Sequence, residues 1–424
     1  MAGISAKLKS QMTPLFEMEE KPNVWDNTIP VEKSSYLVNE TTYVNYENLK
    51  LPEDKYAMID LFCGAGGFAV GCGLAGFHSV IGNDYLKPAM DTWCYNHPNS
   101  LGVVGDIKDI DPNLWVDMLK SKGINKIHLM TGGVPCQGFS LANRKHNDND
   151  ERNFLFLEYM RFIKVFEPDY VILENVSGMR MRAGGEFEKN IKQSITELGY
   201  NVTVKLILAA DYGVPQLRKR LVFVGVKQNA GLTDEFVFPE GQFTDKKSSK
   251  KGNKKPYRTV AEAISDLPEI QSGESAVKYT MPPQNEYQKI MRGESRLIKF
   301  DKPEHLYNHI APIHPKATIE KIAATKQGEP MYEKFKQRIR LSLDEPSPTQ
   351  LAGGIRPQFQ FGHPIQPRGL TIRERARIQS FPDSYRFIGG VCQERVQTGN
   401  AVPPLMIYPI AKKIAEDLDR KYKA

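Results

Sequence analysis

Three short stretches of the chain hold residue types that could do chemistry. The first runs Asp60-Leu61-Phe62-Cys63-Gly64-Ala65-Gly66-Gly67-Phe68-Ala69, with Asp84 following twenty residues after Gly64. Glycines spaced as Gly64-x-Gly66-x-x-Ala69 allow a tight turn and let a ligand touch the backbone, while the acid can accept hydrogen bonds from ribose hydroxyls. The pattern fits a nicotinamide cofactor and S-adenosylmethionine (SAM) alike, since both present an adenosine ribose; a plain turn is the simpler reading. Phe62 and Tyr85 offer aromatic faces beside these positions, or belong to the core. The second stretch, Thr131-Gly132-Gly133-Val134-Pro135-Cys136-Gln137-Gly138-Phe139-Ser140, brings a single thiol behind a loop that admits substrate close to the backbone. A thiolate is a soft nucleophile, whereas a buried free cysteine is commonly inert. The third, Glu174-Asn175-Val176, supplies a carboxyl suited to proton transfer, to holding a ribose, or to an ordinary surface.

The elements that must position these residues follow from hydrophobic patterning. Short apolar runs at Met58–Phe62, Ser79–Asn83, Ile127–Thr131, Asp169–Leu173, Val202–Leu208 and Leu221–Val226 alternate with helical periodicity at Ala89–Tyr95, Phe154–Phe166 and Phe187–Leu198. Strand–helix alternation with buried-looking strands predicts an α/β domain, a doubly wound and mostly parallel sheet. In such a sheet the segments leaving strand carboxyl ends share one rim, so the glycine loop, Cys136 and Glu174 are expected to converge on one crevice. Residues 1–55 show no sustained period and read as an N-terminal extension. Residues 56–226 form the sheet domain, rejoined by 392–424, and 227–391 form a smaller irregular domain.

Within that irregular region Lys246, Lys247, Lys250, Lys251, Lys254 and Lys255 sit among Ser, Gly and Asn. A solvated loop or a loop trailing along phosphates fits them. Thr371 and Glu374 form a capping box opening a helix that carries Arg373, Arg375 and Arg377 after Arg368, for which a structural or phosphate role is expected. Residues 404–420 read as a final amphipathic helix.

Composition removes several classes. No run of about 18 apolar residues is present to span a bilayer, and the first fifty residues lack a secretory h-region. Five cysteines, with no CxxC pair, exclude a disulfide framework and a zinc ribbon and fit a cytoplasmic compartment. His305, His309 and His314 stand among prolines without the HExxH order, so no metal site is expected. The chain holds 57 Lys+Arg against 50 Asp+Glu, a net charge of +7, which permits a nucleic-acid partner without naming one.

Taken in order, the motifs resemble the C5-cytosine DNA methyltransferases of prokaryotic type II restriction-modification systems. The resemblance runs from Asp60 to about Ile414. It rests on the Asp60–Phe68 loop, Gly105-Asp106-Ile107, Pro135-Cys136-Gln137, Glu174-Asn175-Val176 and Gln216-Leu217-Arg218-Lys219-Arg220, then Arg373–Pro382 and Gly399-Asn400-Ala401-Val402. A dehydrogenase is not expected to combine Pro-Cys-Gln, Glu-Asn-Val and Gln-x-Arg-x-Arg. The amino-methylating DNA enzymes use a [DNS]-Pro-Pro-aromatic loop, and Pro282-Pro283 and Pro403-Pro404 lack that context. Three positions depart from the family pattern: Val134 where an aromatic is common, Cys63 where Ala or Ser is common, and Gln350 interposed before Leu351-Ala352.

The resemblance implies a SAM-dependent DNA (cytosine-5-)-methyltransferase acting on a cytosine flipped out of double-stranded DNA. Cys136 would add to C6 of the ring and make C5 nucleophilic towards the SAM methyl group, after which loss of the C5 proton would expel Cys136. Glu174 would hold N3, Arg220 would bind O2, and Arg218 would brace Glu174 or a phosphate. Phe62, Gly64, Gly66, Asp84, Tyr85, Asp106, Ile107, Asn400 and Ala401 would form the SAM site. Ser140, Arg144 and Thr349 would contact DNA, with the polar stretch after Cys136 closing as a lid and 227–391 serving target recognition. The same resemblance implies a monomer, with a restriction endonuclease as a possible functional counterpart. The charge surplus would line a cleft through the lysine run, the Arg368–Arg377 cluster and the loop past Cys136. Two readings compete. An RNA cytosine-5 methyltransferase is opposed by the large region after Val226, and a non-catalytic DNA-binding regulator by the presence of Cys136, Glu174 and Arg220 together.

Overall fold

Tyr56–Leu61 (β4) is buried at every position, as a strand must be when both faces of its sheet are covered. Its side chains alternate between two cores. Tyr56 and Met58 pack with residues of the helices Gly67–Gly73 and Pro404–Tyr422. Ala57, Ile59 and Leu61 pack with the helices Pro112–Ser121, Leu155–Phe166 and Glu186–Glu197. The computed structural model describes residues 13–14, 35–38, 40–135, 155–179, 185–250, 252–352 and 359–423. Ser140, Arg144 and Cys136 lie outside them.

Among the described residues ten strands make one sheet. Thr13–Pro14 (β1), Tyr36–Val38 (β2) and Thr41–Val44 (β3) lead antiparallel onto Leu101–Val104 (β6). From β6 the sheet continues in parallel through Phe77–Asp84 (β5), β4, Leu129–Gly132 (β7) and Tyr170–Val176 (β8). Tyr200–Leu208 (β9) and Lys219–Lys227 (β11) finish it in the antiparallel sense, in the order β8-β11-β9. The chain winds outward from β4 in one direction and from β7 in the other, so β4 and β7 flank the switch point where a ligand crevice opens. Each of the six predicted apolar runs falls on a strand of this sheet, and the fold is the doubly wound α/β class, with a parallel centre and antiparallel flanks.

The region after Val226 is largely irregular, as its prolines dictate, but it does not stand apart. Phe236, Phe238, Ile264, Tyr287, Met291 and Leu370 share one core with β4 and the final helix. Gln216–Leu217 (β10) pairs in parallel with Ser347–Pro348 at the border between the two regions. The capping box is formed, with the Thr371 N–H donating to Glu374 Oε2 at 2.8 Å and the Glu374 N–H donating to Thr371 Oγ1 at 3.1 Å.

The expectation for the arginines after Pro367 needs correcting, because they face inward instead of lining a cleft. The helix Ile372–Ile378 is buried at all seven positions. Arg368 grips Glu374 with two bonds of 2.9 and 2.7 Å. Arg377 does the same to Asp383 at 2.9 and 2.6 Å and also meets Asp266. Arg373 donates to the carbonyls of Tyr307, Pro382 and Tyr385 at 2.9, 2.8 and 2.6 Å. A guanidinium out of water requires such saturation, and removing one partner of a buried pair typically costs about 3–5 kcal/mol. Burial pushes the Glu374 carboxyl up, but Arg368 and His363 outweigh it and hold it well below the usual range. His309 and His314 are also packing residues. The first bridges Thr371 Oγ1 and the Pro268 carbonyl at 3.1 and 2.9 Å, and the second accepts from the Gly369 N–H at 2.9 Å.

Candidate active site

The glycine loop leaves β4 through residues whose backbone is set before any ligand arrives. Phe62, Gly64 and Gly66 all have positive φ (52°, 52° and 87°). For Phe62 this is a strained conformation, of the kind that collects at ligand sites and costs about 1–3 kcal/mol. The loop is held from β5: the Cys63 N–H donates to the Asn83 carbonyl at 2.9 Å and the Gly64 N–H to Asp84 Oδ2 at 3.0 Å. Asp84 Oδ1 takes the Leu86 N–H at 2.9 Å, so this acid braces two turns at once. At Gly67 close approach excludes a side chain, because a Cβ would lie 2.1 Å from the Val402 carbonyl oxygen. The carbonyl of Ala65 also receives the Tyr385 hydroxyl at 2.6 Å.

Beneath the loop Asp60 is fully buried and ties β4 to β7, accepting from Thr131 Oγ1 at 2.7 Å. Burial raises its carboxyl to about 7.

The other predicted cofactor positions line the same rim. Tyr85 is 61% exposed, a high figure for an aromatic ring that follows a buried strand. Asn83 Nδ2 fixes the next strand end by donating to the carbonyls of Val103 and Gly105 at 3.0 and 3.1 Å. Asp106, exposed, caps the following turn by accepting from the Lys108 N–H at 3.1 Å, and Ile107 is buried beside it. Ala401 is buried and Asn400 is exposed. A Cβ added to Gly64 would meet nothing within 4 Å, so the loop opens onto free space at this position. A nucleoside with a charged tail fits such a cradle.

Glu174 and Arg220 form the second half of the site. In the antiparallel pair of β8 and β11, Glu174 stands opposite Val222 and Arg220 opposite Val176. Residues two apart on one strand share a face, so Arg220 reaches Glu174 diagonally. The ion pair Arg220 Nε–Glu174 Oε1 is 2.5 Å, with both side chains about a tenth exposed (11% and 9%). Burial lowers the Arg220 pKa and Glu174 opposes that shift. The exit from β7 passes next to them: a Cβ on Gly133 would lie 3.6 Å from the Phe62 carbonyl and 3.8 Å from Glu174 Oε2. Asn175 Nδ2 donates to the Val134 carbonyl at 2.9 Å and anchors that exit. The described chain stops at Pro135, one residue before Cys136.

Arg218 is not placed as a direct brace on Glu174. It is buried and donates to the carbonyl oxygens of Gln350 (3.2 Å), Gly399 (3.0 Å) and Asn400 (3.4 Å). Such a site leaves no access for a phosphate. Thr349 is half-buried, and its hydroxyl donates to the Leu217 carbonyl at 2.8 Å.

Sequence reasoning missed the residues that join the two halves. Gln350, met as an interruption of the family pattern, is buried; its N–H donates to Gln216 Oε1 at 2.9 Å and its Nε2 to the Arg375 carbonyl at 3.0 Å. Gln216 in turn donates to Gln379 Oε1 at 3.1 Å. A buried glutamine ladder of this kind leaves no periodic signal. The missed roles of Asn175 and Tyr385 were likewise invisible, because their partners are backbone carbonyls.

Comparison with known proteins places this arrangement among relatives. A family model described as "C-5 cytosine-specific DNA methylase" matches residues 56–416. The chain is similar to the type II methyltransferase M.DdeI of Desulfomicrobium norvegicum, 34% identical over 389 residues, covering 84% of this chain and 88% of that protein. It is also similar to the type II methyltransferase M1.HphI of Haemophilus parahaemolyticus, at 32% identity over 368 residues, 84% of this chain and 86% of that one. Among solved structures, a candidate DNA modification methyltransferase encoded within an E. coli prophage superposes with a TM-score of 0.69 at 25% identity. That likeness covers 86% of this chain and 100% of the other.

Proposed function

The chain belongs to the C-5 cytosine-specific DNA methylase family, and from that premise we propose how its own residues carry out cytosine-5 methylation of DNA. The observation that supports the reading best is the Glu174–Arg220 pair at the exit of β7, where Gly133 stands between Glu174 and the Phe62 carbonyl of the glycine loop. Cys136 is the nucleophile and adds as thiolate to C6 of a flipped cytosine. Glu174 holds N3 and shares a proton with it, relieving the negative charge that addition pushes into the ring. Arg220 donates to O2 while keeping the Glu174 carboxyl in place. Loss of the C5 proton then restores aromaticity and releases Cys136.

SAM supplies the electrophilic methyl group when bound. Phe62, Gly64 and Gly66 line its place, with Asp84 on the ribose, Tyr85 and Ile107 against the adenine, Asp106 on the adenine amino group, and Asn400 and Ala401 towards the methionine end. Gly64 opening on empty space and the exposed Tyr85 ring support this assignment. Arg218 acts as a positioning residue, because its three carbonyl acceptors join the Gln350 segment to Asn400.

Double-stranded DNA is the substrate, approached by Thr349 and by Ser140 and Arg144 from the segment after Cys136. Residues 227–391 select the site, and residues 56–226 and 392–424 form the catalytic domain, whose sheet also takes in β1–β3 from the stretch 1–55. No helix among the described residues is long and apolar enough to cross a membrane. A cytoplasmic monomer serving a restriction-modification system, with an endonuclease of the same specificity, is the biological setting we propose.

A duplex carrying 5-fluorocytosine tests the chemistry, since its C5 cannot lose a proton. Incubated with enzyme and SAM, it should yield a denaturant-stable protein–DNA adduct. An enzyme active on cytosine that gives no adduct overturns the addition–elimination scheme.

A further inference from the structure

The positive surplus of the chain needs a location, because the arginines expected to supply it are enclosed. Arg368, Arg373, Arg375 and Arg377 are each at most 4% exposed, and their donors are spent on carboxylates, carbonyls and a hydroxyl inside the protein. The exposed positive charge gathers elsewhere. Lys246, Lys247, Lys250, Lys254 and Lys255 all face solvent in one short segment. Two have an acidic partner, Lys246 with Glu345 at 3.4 Å and Lys254 with Glu240 at 4.0 Å. Lys247, Lys250 and Lys255 have none among the described residues.

The segment is also built and anchored. Phe243–Thr244 pairs in parallel with Lys255–Pro256 and closes its base. Asp245 caps the turn Lys246–Ser249, accepting from the N–H groups of Lys247 and Ser248 at 3.0 Å each. One root lies on the approach to β10. The Tyr257 hydroxyl donates to Asp211 Oδ1 at 2.7 Å, and Arg258 lies 5.0 Å from the centre of the Phe243 ring while donating to the Gly213 carbonyl at 3.2 Å. The other root is the Lys246 ammonium, which donates to the Asp344 carbonyl at 2.5 Å. Gly213 stands three residues before Gln216 and Glu345 two before Ser347, and these are the segments that pair with each other and carry Thr349, Arg218 and Arg220. A lysine loop that only kept the protein in solution would need no attachment at both of these points.

We propose that Lys247, Lys250 and Lys255 form a flank for duplex DNA, tracking phosphates beside the crevice that receives the target base. The inference rests on the reading of the chain as a DNA methyltransferase and adds where non-specific affinity resides. Each phosphate neutralised by a lysine releases counterions, so its loss flattens the dependence of log K on log salt by about 0.9 per contact.

The test compares the full-length wild type, the variant Lys247→Gln/Lys250→Gln/Lys255→Gln, and an equal-charge control, Lys120→Gln/Lys412→Gln/Lys413→Gln on the helices Pro112–Ser121 and Pro404–Tyr422. Binding to a fluorescein-labelled duplex of mixed sequence is titrated across a salt series. Methyl transfer to unmethylated genomic DNA is measured on the same preparations. The flank variant should lose roughly 1–3 from the salt slope, and about tenfold or more in affinity at low salt, with the control close to wild type. An unchanged slope in the flank variant, or an equal loss in the control, overturns the proposal while wild-type methyl transfer still stands. If instead the wild type transfers no methyl group to DNA, it is the enzymatic reading that fails.

Discussion

Arg220 holds Glu174 across the antiparallel border of β8 and β11, Nε to Oε1 at 2.5 Å, diagonal to the register in which Glu174 faces Val222. A carboxyl fixed by a neighbouring guanidinium in a nearly dry site is positioned before substrate arrives. In the proposed reaction both groups act on the base as one unit.

That unity predicts non-additive losses. Glu174→Gln should lower single-turnover methyl transfer by about 10²–10⁴ and Arg220→Ala by about 10²–10³. The double variant should be scarcely worse than the weaker single one, as expected for groups that work together. Fully additive losses would show that the two residues serve separate steps.

Arg218 should matter first for folding. Replacing it with alanine strips the donor from the carbonyls of Gln350, Gly399 and Asn400, the first two buried, and each buried acceptor left unsatisfied costs about 1–3 kcal/mol. Urea unfolding of Arg218→Ala should show a loss of at least about 2 kcal/mol, and Arg218→Lys should recover only part, because an ammonium cannot reproduce the planar fork. A wild-type midpoint for Arg218→Ala would dissolve the clamp.

The glycine loop offers a matched pair of substitutions. Gly67→Ala drives a Cβ to 2.1 Å from the Val402 carbonyl, so the loop or the Gly399–Val402 segment must move. A cost of about 1–3 kcal/mol and a severalfold rise in KM for SAM should follow. Gly73→Ala, at the end of the same helix with nothing within 4 Å of the new Cβ, should be neutral or stabilising by up to about 1 kcal/mol. Similar behaviour of the two variants in calorimetry and kinetics would contradict the assigned packing.

Much of the fold could be read from the chain, for a definite reason. The central strands are buried on both faces, so Met58–Phe62 and Leu221–Val226 stand out as apolar runs. Leu101–Val104 did not, being four residues with a glycine, and that glycine is required because a Cβ there would lie 2.1 Å from Cys94 Sγ. Tyr36–Val38 and Thr41–Val44 are short strands of mostly tyrosine, threonine and valine, too short to show a period within the stretch read as an extension. The arginines were misplaced because a capping-box helix bearing Arg373, Arg375 and Arg377 has the same pattern inside a protein as on its surface. Asp266, which decides the matter for Arg377, lies 111 residues away. The placement of Glu174 at the end of β8 and of the glycine loop at the end of β4 was legible through topology; Gln350 and the carbonyls gripped by Arg218 depend on long-range contacts that no local pattern records.

Glu394 gives the stability a pH dependence. It is buried and accepts from Asn308 Nδ2 at 2.9 Å, and burial raises its carboxyl to about 8, against that hydrogen bond. A carboxyl whose pKa is higher folded than unfolded binds more protons in the native state between the two values, so it subtracts stability as pH rises from about 4.5 to 8. Glu394→Gln keeps the acceptor and removes the proton. Its Tm should gain on the wild type across that range and level off above it. Parallel Tm profiles from about pH 5 to 8 would refute the assignment.

The proposed reaction takes a covalent route through one thiol, Cys136. It is tested most directly by transfer of a tritiated methyl group from SAM to duplex DNA by Cys136→Ser, with circular dichroism establishing that the variant is folded. Transfer should fall to background, and transfer at the wild-type rate would rule out Cys136 as the nucleophile.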